Sequence, residues 1–189
     1  MPVTLSEFRS GMRALAAPVN VITTAIAGER GGLTATAVIS LTAEPPQLGV
    51  AVNKANGSLK LIEKAGIFAV NVLTHDQLDI GNVFAGATDA RGEARFKVGT
   101  WATMVTGAPV LKQAKANFDC RVITCFELST HVLFVGMIEA VRVNAAADPL
   151  LYADGCYGGF VRKESREFAQ QLALQALELN TAAVFDSPW

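Results

Sequence analysis

Short stretches rich in β-branched residues recur along the chain with only turns or short helical patterns between them, and this spacing narrows the possible folds most. At least six such stretches are present, at 19–27, 33–41, 47–53, 67–73, 116–126 and 129–144. A doubly wound α/β sheet needs a long crossover helix after each strand, whereas antiparallel strands need only short connections. No glycine-rich dinucleotide fingerprint and no Walker-type phosphate loop is present. The pattern therefore predicts a mainly β fold, a closed antiparallel barrel with peripheral short helices.

Turn-forming and aperiodic segments divide these strands. The run Gly28–Gly32 predicts a hairpin turn, with 33–41 as the returning strand. Residues 85–107, rich in Gly, Ala, Thr and Arg, lack clear periodicity, and long segments of this kind are often functional lids. Apolar residues at helical spacing predict a final helix over 165–180. We therefore expect a barrel domain over 1–163, followed by a C-terminal amphipathic helix and tail over 164–189.

The charge balance excludes some classes of partner. A net charge of -1 provides no long-range attraction to polyanions, so the chain is expected to bind neither nucleic acid nor an anionic membrane. Only 17% of the residues are charged and 51% are hydrophobic, which predicts that a partner subunit or a ligand covers part of the surface. The 3 cysteines lack metal-ligand spacing, so no zinc site is expected. The N-terminus does not resemble a signal peptide, which predicts a cytoplasmic location.

One predicted strand carries unusually small and hydroxylated side chains. It reads Gly32-Leu33-Thr34-Ala35-Thr36-Ala37-Val38-Ile39-Ser40-Leu41-Thr42. Small side chains would let a flat ring approach the backbone, while hydroxyl and peptide N–H groups would bond to its polar edge. An ordinary threonine-rich strand has the same composition, because threonine favours the pleated conformation. The composition alone leaves both interpretations open.

A second segment has the features of a phosphate-binding turn. Residues 53–58, Asn-Lys-Ala-Asn-Gly-Ser, join a strand to a predicted helix, where backbone N–H groups, a lysine, two amides and a hydroxyl could meet. The alternative is a plain turn in which Ser58 caps the helix. Arg91 and Arg95, in the aperiodic segment, are either phosphate ligands or solvated charges. His131 opens the longest strand, either as a structural hydrogen-bonding residue or as part of a docking site.

Ten short motifs, each weak by itself, follow one another along the chain in a recognisable order. They are Phe8-Arg9-Ser10-Gly11-Met12, Val21-Ile22-Thr23-Thr24, Gly32-Leu33-Thr34-Ala35-Thr36-Ala37, Ser40-Leu41-Thr42 ahead of Pro45-Pro46, Val52-Asn53-Lys54, Phe68-Ala69-Val70-Asn71-Val72-Leu73, Arg95-Phe96, Pro109-Val110-Leu111, His131 with Gly136, and Asp148-Pro149-Leu150-Leu151-Tyr152. They cover residues 8 to about 160. Through them the chain resembles the flavin reductase-like family, which implies the FMN-binding split β-barrel, an antiparallel and Greek-key-like fold.

The resemblance also implies where the ligands lie. It places the isoalloxazine ring of FMN or FAD against a bed formed by Thr34, Ala35, Thr36, Ala37, Ser40, Leu41 and Thr42. It places the ribityl phosphate near Asn53, Lys54 and Ser58, with Arg91 or Arg95 helping. His131 matches the family histidine on the nicotinamide side of the flavin. The family often has two serines after the Asn-Arg/Lys pair, where this chain has Ala55 and Asn56.

The function that the resemblance implies is an NAD(P)H:flavin oxidoreductase, in which NADH or NADPH delivers hydride to FMN or FAD. Such proteins are typically homodimers with the flavin near the subunit interface, and many supply reduced flavin to a partner monooxygenase. Two alternatives are a flavoredoxin-like FMN-binding electron carrier and a non-enzymatic barrel that binds another flat ligand, such as haem. Absorbance spectra and turnover with a nicotinamide distinguish the three.

Overall fold

The computed structural model describes residues 3–161 and, beyond them, Leu174. Apart from Leu174, the predicted helix over 165–180 lies outside the described residues, as does the predicted domain boundary at 163/164. Within the described part of the chain, no helix is both long and apolar enough to cross a membrane.

Strands dominate the described residues, and the helices are few and short. The helices are α1 Leu5–Arg13, α2 Leu59–Ala65, α3 Leu78–Ala85 and a 3₁₀ helix over Gly92–Lys97. The strands are β1 Ala17–Pro18, β2 Asn20–Ile26, β3 Glu29–Ala35, β4 Val38–Ala43, β5 Pro46–Asn53, β6 Ile67–Val72, β7 Trp101–Thr103, β8 Pro109–Leu111, β9 Ala116–Glu127, β10 His131–Val143, β11 Leu151–Ala153 and β12 Cys156–Gly158. The predicted mainly β class with peripheral short helices is confirmed.

The largest sheet is antiparallel and open at one place. Its seven strands run in the order β3-β2-β6-β9-β10-β5-β4. The outermost strands, β3 and β4, are neighbours in the chain but do not pair with each other, because the link at Thr36 and Ala37 turns the chain towards β5. The prediction of a closed barrel was therefore wrong. The split barrel that the resemblance implied is confirmed.

The first hairpin is tighter than its glycine-rich sequence predicts. The turn is made by Ala27 and Gly28 alone, at φ values of 50 and 84, and β3 begins at Glu29. Gly31 and Gly32 are therefore strand residues and not turn residues. They are needed for close packing, since a Cβ on Gly32 would lie 2.8 Å from both the Ile22 carbonyl oxygen and the Phe84 ring.

Side chains on the two faces of the sheet pack into separate apolar clusters. The inner cluster contains Ile22, Leu33, Leu48, Val50, Val52, Leu59, Ile62, Phe68, Val70, Cys120, Val132 and Phe134. The second contains Val19, Val21, Leu73, Ile80, Val83, Phe84, Phe96, Leu111, Ala114 and Leu150. Because β2 contributes Ile22 to one cluster and Val21 to the other, it is buried on both faces. Such burial accounts for its lack of alternation between apolar and polar residues.

A buried polar network joins the central strands to the short strand β8. The Asn71 side-chain amide donates to the Val21 carbonyl at 2.9 Å and to the Thr23 hydroxyl at 3.0 Å. Its Oδ1 accepts from the Leu111 backbone N–H and from the Asn117 side-chain amide, both at 2.8 Å. Asn71, Thr23 and Asn117 are 0% exposed, so water cannot replace these bonds. The network therefore determines where β8 docks on the sheet.

Candidate functional site

The opening between β3 and β4 carries the hydroxyl-rich segment. Ser40 and Leu41 lie exposed on β4, and the pairing of β4 with β5 shifts register between Ser40 and Thr42, which makes Leu41 a bulge residue. Thr36 and Ala37 are exposed in the link between the two strands. Edge strands and bulges leave backbone N–H and carbonyl groups outside the ladder, and bulges are common next to active sites. This surface can therefore bond to the rim of a flat molecule.

Thr34 and Ala35 lie at the end of β3 and are half-buried, as is Thr42 on β4. The Thr34 hydroxyl donates to the Gly81 carbonyl of α3 at 2.6 Å. Thr34 therefore holds α3 against the edge strand with its side chain. Its neighbours in the link provide the exposed surface.

The ends of β5 and β10 bring three other predicted residues together. Asn53 is the direct cross-strand partner of His131, and the Lys54 backbone N–H donates to the Thr130 carbonyl at 2.9 Å. The Lys54 ammonium group pairs with the Glu127 carboxylate at 3.1 Å. The His131 Nδ1 lies 2.8 Å from the Thr130 hydroxyl, and its ring is half-buried. Asn53, Lys54 and His131 thus form one cluster near Ala37, whose carbonyl accepts from the Ala51 N–H.

Ser58, Arg91 and Arg95 line a different feature, a cavity of about 280 Å³ that we call the arginine pocket. Its lining consists of Glu29, Arg30, Gly31, Gly32, Asn56, Gly57, Ser58, Leu61, Arg91, Gly92 and Arg95. Three of these residues carry a guanidinium group, which suits the tetrahedral oxygens of a phosphate. Asn53 and Lys54 do not line it. The structure therefore separates the residues expected around the phosphate into two groups.

One backbone carbonyl connects Ser58 to Arg95. The Ser58 hydroxyl donates to the Gly32 carbonyl at 3.0 Å, and the Arg95 Nη1 donates to the same oxygen at 3.1 Å. Ser58 lies at the N-cap position of α2, as the alternative interpretation expected, but its side chain makes no capping bond. The Ser58 backbone N–H is satisfied by the Asn56 Oδ1 at 2.9 Å. These contacts position a hydroxyl and a guanidinium group side by side on the pocket wall.

Arg30 completes the pocket, and sequence reasoning missed it. Its guanidinium group lies 4.4 Å from the centre of the Phe96 ring and makes a two-point ion pair with Glu93, in which Nε lies 3.0 Å from Oε2. The hydrogen bond from Arg30 lowers the pKa of Glu93, and the pKa of Arg30 is raised by the same bond. An arginine inside a predicted hairpin turn resembles any solvated charge. The signal that could have found it is the neighbouring Gly31-Gly32 pair, which brings backbone close to α2.

The aperiodic segment is anchored to the barrel by aromatic packing. Phe96 is buried, and its ring centre lies 5.2 Å from that of Phe84 and 5.0 Å from that of Trp101. The Trp101 Nε1 donates to the Val98 carbonyl at 2.7 Å. The 3₁₀ helix over Gly92–Lys97 is therefore held in place, and it carries Arg95 to the pocket.

The distance between the pocket and the ring bed suits one elongated ligand. Gly32 lines the pocket and Thr36 follows it four residues later, which corresponds to roughly 13 Å along an extended chain. A phosphate in the arginine pocket and a flat ring over β4 could therefore belong to one molecule, as in a flavin mononucleotide. The residues present fit the group that the resemblance implies.

Comparison with known proteins gives a consistent result. A family model described as the flavin reductase like domain matches residues 12–160, which include every site residue named above. FMN reductase (NADH) RutF of Pseudomonas syringae pv. syringae (strain B728a) is 41% identical over 151 residues, covering 79% of this chain and 83% of that protein. The resemblance seen in the ten motifs is thus confirmed over most of the described residues.

Solved structures of similar proteins share the fold. Flavin reductase PheA2 in its native state has a TM-score of 0.77 at 29% identity, covering 85% of this chain and all of that chain (100%). BorF, the flavin reductase component of a bacterial two-component tryptophan halogenase, has a TM-score of 0.77 at 25% identity, with coverage of 85% and 100%.

Proposed function

Since this chain belongs to the flavin reductase-like family, we propose that it is an oxidoreductase that passes hydride from NADH to FMN. Its relatives support this pair of substrates, since the one from Pseudomonas syringae is an FMN reductase (NADH). NADPH and FAD are the competing choices, and kinetics distinguish them. A cytoplasmic location stays a prediction from the sequence.

The observation that carries this proposal is the arginine pocket beside the ring bed. Three guanidinium groups and the Ser58 hydroxyl surround a cavity that opens next to an edge strand of small and hydroxylated residues. A phosphate needs the first feature and a flat ring needs the second. We assign the flavin phosphate to Ser58, Arg91 and Arg95 together with Arg30. Asn53 and Lys54 are assigned to the other end of the ligand, near His131.

A bound flavin would supply a hydride acceptor at N5, and the nicotinamide C4 would be the hydride donor. The protein must hold the two rings at near-attack distance, about 3–3.5 Å. Backbone N–H groups between Thr36 and Thr42 would donate to the pyrimidine edge of the flavin, where negative charge grows during reduction. His131 would orient the nicotinamide, because it is half-buried at the start of β10 beside the end of β5.

Steady-state kinetics of the purified full chain test the proposal directly. We expect the highest kcat/KM for NADH with FMN among the four pairings of NADH or NADPH with FMN or FAD. A saturable dependence on added FMN would identify flavin as a diffusing substrate. Absence of turnover with every pairing would refute the reductase activity, and retained FMN without NADH oxidation would identify an electron carrier.

In the same assay His131→Ala should raise KM for the nicotinamide more than KM for the flavin, and the reverse pattern would remove His131 from this role.

We further propose that the chain forms a homodimer. The helix α1 begins with a capping box between Thr4 and Glu7, and none of its residues is buried. Its apolar side chains Leu5, Phe8 and Met12 are 50–63% exposed. A second copy of the chain is the simplest cover for such a face. Sedimentation equilibrium should give the mass of two chains, and a stable monomer with bound flavin would contradict this proposal.

Reduced flavin made in this way needs an acceptor, and we propose a separate oxygenase as that partner. Support comes from BorF, which is the flavin reductase component of a bacterial two-component tryptophan halogenase. The proposal requires that reduced FMN leaves the protein. Oxygen consumption larger than the enzyme-bound flavin alone could account for would support the release of reduced FMN. Reduction of only one equivalent of FMN per binding site would oppose it.

A further inference from the structure

One lining residue of the arginine pocket, Arg30, is paired with a carboxylate, and we propose that this carboxylate, Glu93, is a specificity-determining residue that competes with the flavin phosphate for Arg30. It would set the affinity for FMN low enough for the flavin to exchange. This inference rests on the proposed function and deepens it. It assigns a role to an ion pair that the hydride transfer itself does not require.

The geometry of the pair carries the first step. Arg30 presents Nε and Nη2 to the two carboxylate oxygens of Glu93, which is the fork that a phosphate would otherwise occupy. The guanidinium group that pairs with Glu93 through this edge also lies over the buried Phe96 ring. Arg30 is thus fixed in place and already paired. A phosphate that enters the pocket must share it with Glu93 or displace Glu93.

The other two arginines of the pocket are paired differently. Arg95 donates to the carbonyls of Gly32 and Ala90, and Arg91 donates to the carbonyls of Thr88 and Ala90. These acceptors are neutral, so the positive charge of Arg91 and Arg95 stays available to an anion. Within the described part of the chain, Arg30 is the one of these three arginines whose charge is offset by an acid.

The charges around the pocket show why Glu93 would weaken the binding of the FMN phosphate. Three arginines and Glu29 line the pocket, and Glu93 pairs with Arg30, so these side-chain charges sum to about +1. The terminal phosphate of FMN carries close to two negative charges at neutral pH. Removing the Glu93 charge would raise the local sum to about +2 and match that dianion. The side chain of Glu93 is 62% exposed, so salt and water reduce the repulsion without abolishing it.

Glu93→Gln tests this competition. At low ionic strength we expect Kd for FMN to fall roughly five- to tenfold, as for one charge near a dianion in a largely aqueous setting. Riboflavin, which lacks the phosphate, should bind the variant and the wild type alike. The gain for FMN should shrink as salt is added. Titration by quenching of flavin fluorescence measures all three, with Glu139→Gln as the matched control because Glu139 pairs with Arg121 elsewhere on the sheet.

Three outcomes would overturn the inference: an unchanged Kd for FMN, a weaker Kd, or an equal tightening for riboflavin. A weaker Kd would mean that Glu93 only positions Arg30. If wild-type protein binds FMN and Glu93→Gln fails in one of these ways, the proposed function stands and this inference alone falls. If wild-type protein binds neither FMN nor FAD, the proposed function itself fails. Glu93→Ala makes the same charge change should the glutamine variant not fold.

Discussion

Replacing Asn71 by leucine should lower the free energy of unfolding by about 3 kcal/mol or more. The side chains are similar in size, so the loss comes from hydrogen bonding. The change would remove the acceptor of the Leu111 N–H, one of the two acceptors of the Asn117 amide, and the side-chain donor to the Val21 carbonyl. Each buried polar group left unpaired costs about 1–3 kcal/mol. Urea unfolding followed by circular dichroism would measure the change.

The control for this prediction is Asn144→Leu, just after β10, where the residue is exposed. That variant should change stability by less than about 0.5 kcal/mol, as surface substitutions usually do. A midpoint for Asn71→Leu close to that of wild type would show that the buried network does not hold β8 in place.

Replacing Arg95 by methionine should raise Kd for FMN roughly 10- to 100-fold, because a charge-assisted hydrogen bond contributes about 1.5–3 kcal/mol. The methionine retains most of the aliphatic stem, so packing near Phe96 changes little. Riboflavin binding should change far less than FMN binding, since riboflavin has no phosphate. Arg95→Lys keeps the positive charge but lacks the paired N–H donors of the guanidinium group, so it should bind FMN more tightly than Arg95→Met and less tightly than wild type. Fluorescence titration with the two flavins measures each of these effects.

Arg121→Met removes the same charge at a distant, exposed ion pair and serves as the control for Arg95→Met. It should leave both flavin affinities near those of wild type. Equal weakening of riboflavin and FMN by Arg95→Met would mean that Arg95 supports the fold through the Gly32 carbonyl and does not bind phosphate. The two variants Arg95→Met and Glu93→Gln therefore change the same equilibrium in opposite directions, and both depend on the phosphate.

The antiparallel class could be predicted from residue order because β-branched stretches and short connections are local features. The strand register and the closure of the barrel could not be predicted from residue order. The prediction of a closed barrel failed at Thr36 and Ala37, where two residues redirect the chain and leave β3 and β4 unpaired. The predicted turn at Gly28–Gly32 failed because glycine serves two purposes that look alike in sequence. Gly28 allows a positive φ, whereas Gly32 makes room for the Phe84 ring.

In the candidate site, too, some features could be predicted from the sequence and others could not. The turn segment over 53–58 pointed to Ser58, and the family resemblance pointed to Arg91 and Arg95 in the aperiodic segment. Their meeting point was not predictable: Gly32 is 26 residues from Ser58 and 63 residues from Arg95, and one carbonyl joins all three. Arg30 and Glu93 are also 63 residues apart, and no local pattern connects them.

Sequence by itself determined the mainly β class, the family resemblance and the residue types at the site, because these depend on composition, periodicity and motif order along the chain. Tertiary structure alone decided that the barrel is split, that Lys54 faces Glu127 instead of the arginine pocket, and that Glu93 offsets Arg30. The physical reason is that closure, pocket charge and ion pairing arise from contacts between distant segments. Those contacts form only when the sheet brings the segments together.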